Sequence, residues 1–243
     1  MYNTSTNDKR DLAKAISVSL IVKICGLSTP EALDVALAEQ ADMVGFVFFP
    51  PSPRNVSFDL ARTLGARVAG KAKKVALSVD ADDLLLSRIV ETLSPDLLQL
   101  HGKETPERVA AIKAKFNLPI IKALAIDAKS DFEKMKDYAS AGDWILFDAK
   151  APSEATRPGG LGKPFDWALI SGAIPSVPVM LSGGLDAENV EEALRITHVP
   201  AVDVSSGVER SPGNKDAEKI RKFIRAARLA HHRLPPYEVV SNP

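Results

Sequence analysis

Cys25 and Asp148 are the two side chains of this sequence whose types and positions best suit acid–base chemistry. Cys25, the only cysteine in the chain, ends a short apolar run and is followed by Gly26 and a helix-start pattern at residues 28–31. Asp148 ends another apolar run, residues 144–147. If both face one cavity, the thiol and the carboxyl group could act as general base and general acid. A lone cysteine is more often an inert apolar side chain, and a free thiol with a pKa of about 8.5 is only slightly ionised at pH 7. Catalysis by Cys25 therefore depends on its surroundings.

Two short segments rich in serine and glycine predict a phosphate site. One follows the apolar run at residues 177–181, and the other follows the run at residues 201–204. Small residues let the main chain approach an anion closely, and main-chain N–H groups then supply the hydrogen bonds. One such segment would be equally consistent with a simple turn, but two of them favour phosphate binding. The residues concerned are Gly183, Gly184, Ser205, Ser206 and Gly207.

These candidate residues follow apolar runs that alternate with helical patterns along the chain. We predict eight strands, at residues 20–25, 43–49, 74–79, 96–100, 119–124, 144–147, 177–181 and 201–204, with eight helical stretches between and after them. The last three of these are a short helix at residues 165–170, a helix capped by Asp186 that runs to about residue 196, and a helix at residues 216–230. Such alternation predicts a parallel sheet with right-handed crossovers, and this number of units predicts a single-domain (β/α)₈ TIM barrel. An open doubly wound sheet is the competing fold, but the first βα turn lacks the G-x-G-x-x-G pattern. We expect a polar N-terminal extension at residues 1–17, the barrel at 18–230 and a C-terminal tail at 231–243.

Arg54 and His101 also fall at predicted strand ends, where the active sites of such barrels lie. Arg54 lies in a proline-rich loop after the second strand, and an arginine held in this way can bind a carboxylate through two hydrogen bonds. His101 either lines the site or bonds to the main chain at its rim.

Asp203 and Gly160 complete the set of candidates. Asp203 shares the inward parity of Ser205, so it either contacts a substrate hydroxyl or amine, or pairs with Lys23 lower in the barrel. Gly160 lies in a glycine-rich loop, residues 159–162, which could close over the site as a lid. That loop is not a P-loop, because no Lys-Ser/Thr pair follows it.

The composition excludes several classes of partner and location. Hydrophobic residues make up 45% and charged residues 26% of the chain, which predicts a globular protein. The formal net charge is zero, which argues against nucleic-acid or anionic-membrane binding. No apolar run is long enough to span a membrane, and the N-terminus has no signal-peptide pattern, so we expect a cytoplasmic protein. No cysteine or histidine spacing typical of a metal site occurs, and we expect no metal.

Seven ordered motifs resemble the phosphoribosylanthranilate isomerase family of tryptophan biosynthesis, over residues 22–227. The motifs are Lys23-Ile24-Cys25-Gly26, Gly45-Phe46-Val47-Phe48 with Ser52-Pro53-Arg54, Gln99-Leu100-His101-Gly102, the strand end at Asp148, Gly159-Gly160-Leu161-Gly162 with Phe165-Asp166-Trp167, Leu181-Ser182-Gly183-Gly184-Leu185, and Asp203-Val204-Ser205-Ser206-Gly207-Val208-Glu209. Each motif is weak alone, but their common order is specific. The third strand, residues 75–80, and Leu161 depart from the usual pattern without touching the proposed acid or base.

The resemblance implies an Amadori rearrangement of N-(5-phosphoribosyl)anthranilate to 1-(2-carboxyphenylamino)-1-deoxyribulose 5-phosphate. It assigns Cys25 as general base, Asp148 as general acid and Arg54 as the ligand of the anthranilate carboxylate. No cofactor is implied, because the iminium form of the substrate is itself the electron sink. The expected partner is this small phosphosugar substrate, with the chain a monomer or homodimer. The alternatives are indole-3-glycerol-phosphate synthase, a pentose-phosphate epimerase, or a phosphosugar-binding barrel without catalysis.

Overall fold

A closed barrel of eight parallel strands forms the centre of the molecule, with each strand paired to the next and the eighth paired to the first. The computed structural model describes residues 19–128, 130–149, 166–170 and 177–234. The strands are β1 Ile21–Cys25, β2 Met43–Phe48, β3 Lys73–Ser78, β4 Leu97–Leu100, β5 Ile120–Ile126, β6 Trp144–Ala149, β7 Val179–Leu181 and β8 Ala201–Val204. The predicted TIM barrel is therefore confirmed, and the open doubly wound sheet is excluded.

The helices of the described residues surround this barrel. They are α1 Pro30–Ala38, α2 Phe58–Val68, α3 Asp83–Leu93, α4 Pro106–Phe116, α5 Asp131–Ala139, α6 Val190–Thr197 and α7 Ala217–Arg233. Local sequence explains several helix starts: the side chains of Thr29, Ser57, Asp82 and Thr105 each accept a hydrogen bond from a main-chain N–H of the first turn. A helix of 9 to 11 residues thus begins at a defined point after each of the first four strands.

Three predicted helix boundaries were wrong in detail. The helix expected at residues 165–170 is a 3₁₀ turn over Trp167–Leu169. Asp186 does not cap α6; it accepts hydrogen bonds from the main-chain N–H groups of Glu188 and Asn189, which closes the turn before Val190. The last helix continues to Arg233, three residues beyond its predicted end.

Alternation of side chains along the strands places a packed layer inside the barrel. A buried apolar cluster there includes Met43, Val75, Leu97, Ile121, Leu146, Met180 and Ala201. A second buried cluster consists of Cys25, Val47 and Leu77. Val47 follows the inward-facing Met43 by four positions, and Leu77 follows Val75 by two, so these side chains also point into the barrel. Asp148 likewise follows Leu146 by two positions. The parity that the sequence predicts for Cys25 and Asp148 thus directs both into the barrel.

A small hairpin after β8 was not predicted from the sequence. Its strands are β9 Glu209–Ser211 and β10 Asn214–Lys215. Gly213 has φ +84°, and a Cβ atom there would lie 2.4 Å from the carbonyl oxygen of Pro53. Glycine at this position lets the hairpin pack directly on the proline-rich loop after β2, so Glu209 and Arg54 lie side by side.

No helix among the described residues has the length and apolar character that a membrane span requires.

Candidate active site

A cavity of about 660 Å³, including its open mouth, lies at the C-terminal ends of the strands. Nine candidate residues from the sequence line it: Cys25, Arg54, His101, Asp148, Gly183, Gly184, Asp203, Ser205 and Ser206. Six of the eight strands contribute to this set. Of the remaining candidates, Gly207 packs against the loop after β7, and Gly160 lies outside the described residues.

Cys25 ends β1 with its side chain almost wholly buried. The absence of a side chain at Gly45, on the neighbouring strand, makes room for the sulfur, since a Cβ atom there would be 2.9 Å from Sγ. Burial raises the pKa of the Cys25 thiol; the ammonium groups of Lys23 and Lys215 lower it, and the Asp203 carboxylate raises it, with a net increase. Cys25 therefore rests as a thiol, and it must give up its own proton before the resulting thiolate can act as a base.

Lys23 and Asp203 form a buried ion pair directly below Cys25. Lys23 Nζ donates to Asp203 Oδ1 at 2.8 Å, and the two residues are partners in the register between β1 and β8. Ser182 Oγ donates to Asp203 Oδ2 at 3.2 Å. Burial would lower the pKa of Lys23, but Asp203 and Cys25 outweigh it, so the pKa is raised and the ammonium persists. Of the two alternatives for Asp203, the ion pair with Lys23 is present, and Asp203 also lines the cavity.

Asp148 is hydrogen-bonded to His101 across the cavity from Cys25. His101 Nε2 lies 3.1 Å from Asp148 Oδ2, and His101 Nδ1 lies 3.1 Å from Gln99 Nε2. The main-chain N–H of Ala149 donates to Asp148 Oδ1 at 2.9 Å. The sequence left open whether His101 lines the site, and the structure places it there. The sequence did not predict its pairing with Asp148, which arises because β4 and β6 flank β5 on either side.

Arg54 is buried and paired with Glu209. Its Nε and Nη2 atoms donate to the two carboxylate oxygens of Glu209 at 2.7 and 2.8 Å. Lys215 Nζ donates to Glu209 Oε1 at 2.8 Å and to the carbonyl oxygen of Ser205 at 2.8 Å. Burial would raise the pKa of Glu209, but Arg54 and Lys215 outweigh it and hold the pKa below its usual value. Burial lowers the pKa of Lys215 despite the opposing effect of Glu209.

Lys215 is the site residue that the sequence did not reveal. Its side chain is 1% exposed. Because it belongs to a polar hairpin, the sequence would instead predict a lysine exposed at the surface. Glu209 ends the motif Ser205-Ser206-Gly207-Val208-Glu209. Its ion-pair partner Arg54 is 155 residues away in the chain, so the sequence did not predict the pair. Only the folded hairpin brings these three charges together.

The loops after β7 and β8 form the opposite wall and touch each other. Gly183 and Gly184 have φ of +84° and +74°, which a side chain would disfavour. A Cβ atom on Gly183 would lie 2.3 Å from the main-chain nitrogen of Ala149, and one on Gly207 would lie 1.9 Å from the carbonyl oxygen of Leu185. Close packing of main chain on main chain thus explains why both loops are built from glycine.

Among the described residues there is no group of three or more His, Cys, Asp or Glu side chains placed to hold a metal ion.

The family model for N-(5'phosphoribosyl)anthranilate (PRA) isomerase matches residues 22–226. The chain belongs to the PRA isomerase family. It is 60% identical over 213 residues to N-(5'-phosphoribosyl)anthranilate isomerase of Rhodopseudomonas palustris strain HaA2, covering 88% of this chain and 98% of the relative. It is 61% identical over 213 residues to the same enzyme of Nitrobacter hamburgensis, covering 88% and 95% of the two chains.

Solved structures of PRA isomerases share this barrel. The Thermotoga maritima enzyme is 35% identical, with a TM-score of 0.77 and coverage of 86% of this chain and 99% of the other. A phosphoribosyl anthranilate isomerase in complex with reduced 1-(o-carboxyphenylamino)-1-deoxyribulose 5-phosphate is 32% identical, with a TM-score of 0.74 and coverage of 86% and 99%. The resemblance noted in the sequence is therefore confirmed at the level of both the family and the fold.

Proposed function

We propose that this chain isomerises N-(5'-phosphoribosyl)anthranilate to 1-(2-carboxyphenylamino)-1-deoxyribulose 5-phosphate in tryptophan biosynthesis. The family match supports the reaction. One structural observation carries the assignment of residues: a thiol at the end of β1 and a carboxyl group at the end of β6 line one cavity with the glycine loops that follow β7 and β8. The match leaves no support for the synthase and epimerase alternatives.

Asp148 is the general acid in this proposal. It protonates the furanose ring oxygen, the bond from that oxygen to C1 breaks, and the substrate opens to a cationic Schiff base. Ala149 N–H holds Asp148 Oδ1, so Oδ2 is the oxygen that carries and gives up the proton. The hydrogen bonds of Oδ1 with Ala149 N–H and of Oδ2 with His101 Nε2 fix the position of the carboxyl group. Little reorganisation is therefore needed before it protonates the ring oxygen.

Cys25 is the general base for the second step. The positive charge of the Schiff base acidifies the proton on C2, and removal of that proton leaves a neutral enolamine, which tautomerises to the ketone. The raised pKa of the Cys25 thiol means that the thiolate, once formed, is a strong base. The cationic substrate and the buried ammonium groups of Lys23 and Lys215 stabilise that thiolate when it forms.

The two ends of the substrate are held at different walls. The phosphate is assigned to the main chain of Gly183, Gly184, Ser205, Ser206 and Gly207. Arg54, with its guanidinium plane fixed by Glu209, is assigned to the anthranilate carboxylate. Gly160, which lies outside the described residues, is proposed as a further substrate-lining residue. Val47, Phe49, Leu77 and Val79 line the same cavity and supply apolar surface for the aromatic ring.

Purified wild-type chain, Cys25→Ser and Asp148→Asn test this assignment with N-(5'-phosphoribosyl)anthranilate as substrate. We expect turnover in the wild type and a fall in kcat of at least about a thousandfold in each variant, while the reduced product analogue still binds. His198→Asn, at an exposed left-handed position outside the site, is the matched control and should keep wild-type kcat. Turnover within tenfold of wild type in either variant would remove that residue from its role. Binding of the analogue by an inactive wild type would instead favour the non-catalytic barrel.

The barrel, predicted at residues 18–230 and extended here to the end of α7 at Arg233, is proposed as the catalytic unit, with residues 1–17 and the tail after α7 outside it. We propose a cytoplasmic enzyme that acts as a monomer or homodimer, binds a small molecule, and has neither a nucleic-acid nor a membrane partner. Sedimentation of the purified chain decides between the two oligomeric states.

A further inference from the structure

The hydrogen bond between His101 and Asp148 bears on the source of the proton that Asp148 gives to the substrate. A carboxylic acid can protonate the substrate only if it holds a proton, and each turnover removes one. Within the described residues, His101 is the titratable group that hydrogen-bonds Asp148 Oδ2, at 3.1 Å. The His101 side chain is 13% exposed and that of Asp148 is 7% exposed, so the imidazole is the more accessible of the two to water at the cavity mouth.

The hydrogen bonds of His101 define which ring nitrogen carries the proton at rest. Gln99 Nε2 can only donate, so His101 Nδ1 accepts from it. The proton of the neutral imidazole is therefore on Nε2, which donates to the Asp148 carboxylate. In this arrangement the one proton between the two groups is held by the imidazole, so Asp148 has none to give to the substrate.

The Gln99 carboxamide is hydrogen-bonded through its nitrogen but not through its oxygen among the described residues. Gln99 is fully buried, and its Oε1 atom has no hydrogen-bond partner among the described residues. A buried carbonyl oxygen without a partner is uncommon and costs free energy. Since no described side chain holds that end, a half-turn of the carboxamide would exchange its nitrogen for its oxygen beside Nδ1. The oxygen could then accept a hydrogen bond from a protonated Nδ1.

We propose that His101 is a positioning and proton-supplying residue that reprotonates Asp148, with Gln99 turning its carboxamide to accept the Nδ1 proton of the imidazolium. The proposal rests on the assignment of Asp148 as general acid and adds the source of its proton.

Each turnover takes one proton from solvent and returns one to it. Water at the cavity mouth gives a proton to the imidazole, which becomes an imidazolium with protons on both nitrogens. The Nε2 proton passes to Asp148 Oδ2, and the imidazole keeps the proton on Nδ1, hydrogen-bonded to Gln99 Oε1. Rotation about the C–O bond of the new carboxylic acid turns that proton to the ring oxygen of the substrate. Asp148 returns to the carboxylate. Cys25 gives its own thiol proton to solvent before it takes the proton from C2, and this release balances the proton that the imidazole took from water. The imidazole then exchanges its Nδ1 proton through water for one on Nε2 as the Gln99 carboxamide turns back, which restores the resting state.

Charged and titratable groups surround His101 on several elements. Asp148 from β6 and Cys25, Arg54 and Asp203 line the same cavity as His101. Asp80, from the loop after β3, and the Lys122–Glu104 pair lie against the loop that carries His101. Of these, only Asp148 is hydrogen-bonded to the imidazole among the described residues. Lys122 donates to the carbonyl oxygens of Leu100 and Gly102, on either side of His101, which fixes the main chain while the ring exchanges its proton.

Chemical rescue distinguishes proton supply from a structural role. We expect His101→Ala to lower kcat by about a hundredfold, with KM within threefold of wild type, and free imidazole to restore kcat in a saturable way. His101→Asn keeps a hydrogen-bond donor but cannot exchange a proton at neutral pH, so its kcat should fall equally. Gln99→Met removes the acceptor for Nδ1 and should lower kcat by about tenfold, whereas His198→Asn should leave kcat unchanged.

Three outcomes would overturn the proposal: kcat within twofold of wild type in His101→Asn, no effect of imidazole on His101→Ala, or rescue by imidazole of the double variant His101→Ala/Asp148→Asn. If His101→Ala is poorly folded, His101→Asn alone decides. Loss of activity in Asp148→Asn together with normal activity in His101→Asn would reject only the proton supply. Normal activity in Asp148→Asn would reject the acid itself and the proposed function with it.

Discussion

Two buried lysine–carboxylate pairs in this barrel have nearly the same geometry and different consequences. Lys23 Nζ lies 2.8 Å from Asp203 Oδ1, and Lys122 Nζ lies 2.7 Å from Glu104 Oε2. All four side chains are at most 4% exposed. Lys23 points into the barrel below Cys25, whereas Lys122 points outward, where its ammonium lies 5.7 Å from the ring centre of Tyr138 on α5.

The difference lies in what else each ammonium contacts. The Lys23 ammonium is paired with Asp203, and its charge also lowers the pKa of the Cys25 thiol. Lys122 donates to two main-chain carbonyl oxygens of the β4 loop, and Glu104 accepts from the N–H groups of Asp80 and Gly102. One pair therefore adjusts the reactivity of a side chain, and the other fixes a loop. Burial and pairing alone do not identify a functional charge; its remaining contacts do.

Lys122→Met should give the largest change in stability. The substitution leaves Glu104 buried without its cation, which typically costs roughly 3–5 kcal/mol of unfolding free energy. Urea unfolding of the variant measures the loss. The double variant Lys122→Met/Glu104→Leu should recover most of it, because both charges are then gone. A loss below about 1 kcal/mol in the single variant would show that this pair does not hold the loop.

Glu209→Gln should have the next largest effect, and the effect should depend on pH. Arg54 and Lys215 hold the pKa of Glu209 below its usual value, so their pairing stabilises the fold above the unfolded pKa of about 4.3 and is lost as pH falls through the folded pKa. We expect the variant to be less stable by about 1.5–3 kcal/mol at pH 7. The difference from wild type should shrink as pH is lowered below 4.3. A difference that stays constant with pH, measured by urea unfolding, would contradict this pairing.

Lys23→Met should change the reactivity of Cys25, whereas Lys122→Met should leave it unchanged. Loss of the nearest cation raises the pKa of the thiol further, so alkylation by iodoacetamide at pH 7 should slow on the order of tenfold. The chain has a single cysteine, so alkylation reports this site alone. Lys122→Met serves as the control, with an unchanged pH midpoint of alkylation. Equal midpoints in all three proteins would show that the two buried pairs do not differ in function.

Arg195→Ala should have the smallest effect. Its partner Glu192 is one turn away on α6, and both side chains are more than half exposed, so solvent screens the pair. We expect no measurable change in the urea midpoint. A clear destabilisation would mean that exposed pairs on this barrel matter as much as buried ones.

The order of the strands and the position of the site were predictable because both follow from local patterns. Apolar runs separated by helix-start residues such as Thr29 and Asp82 specify the units, and parity along a strand directs Cys25 and Asp148 inward. Contacts between distant segments were not predictable in this way. The contact of His101 with Asp148 depends on the positions of β4 and β6 on either side of β5. The pairing of Arg54 with Glu209 and the burial of Lys215 depend on how a short polar hairpin packs on a loop more than 150 residues away.

Removal of the C2 proton by Cys25 is the central step, and a substrate carrying deuterium at C2 of the ribose tests it most directly. The wild type should release that deuterium from C2 as the ketone forms, with a slower kcat than for the unlabelled substrate if proton removal limits the rate. Cys25→Ser, saturated with the same substrate, should retain the label at C2. Loss of deuterium from C2 in Cys25→Ser at a rate close to that of the wild type would contradict the assignment of the thiol as base.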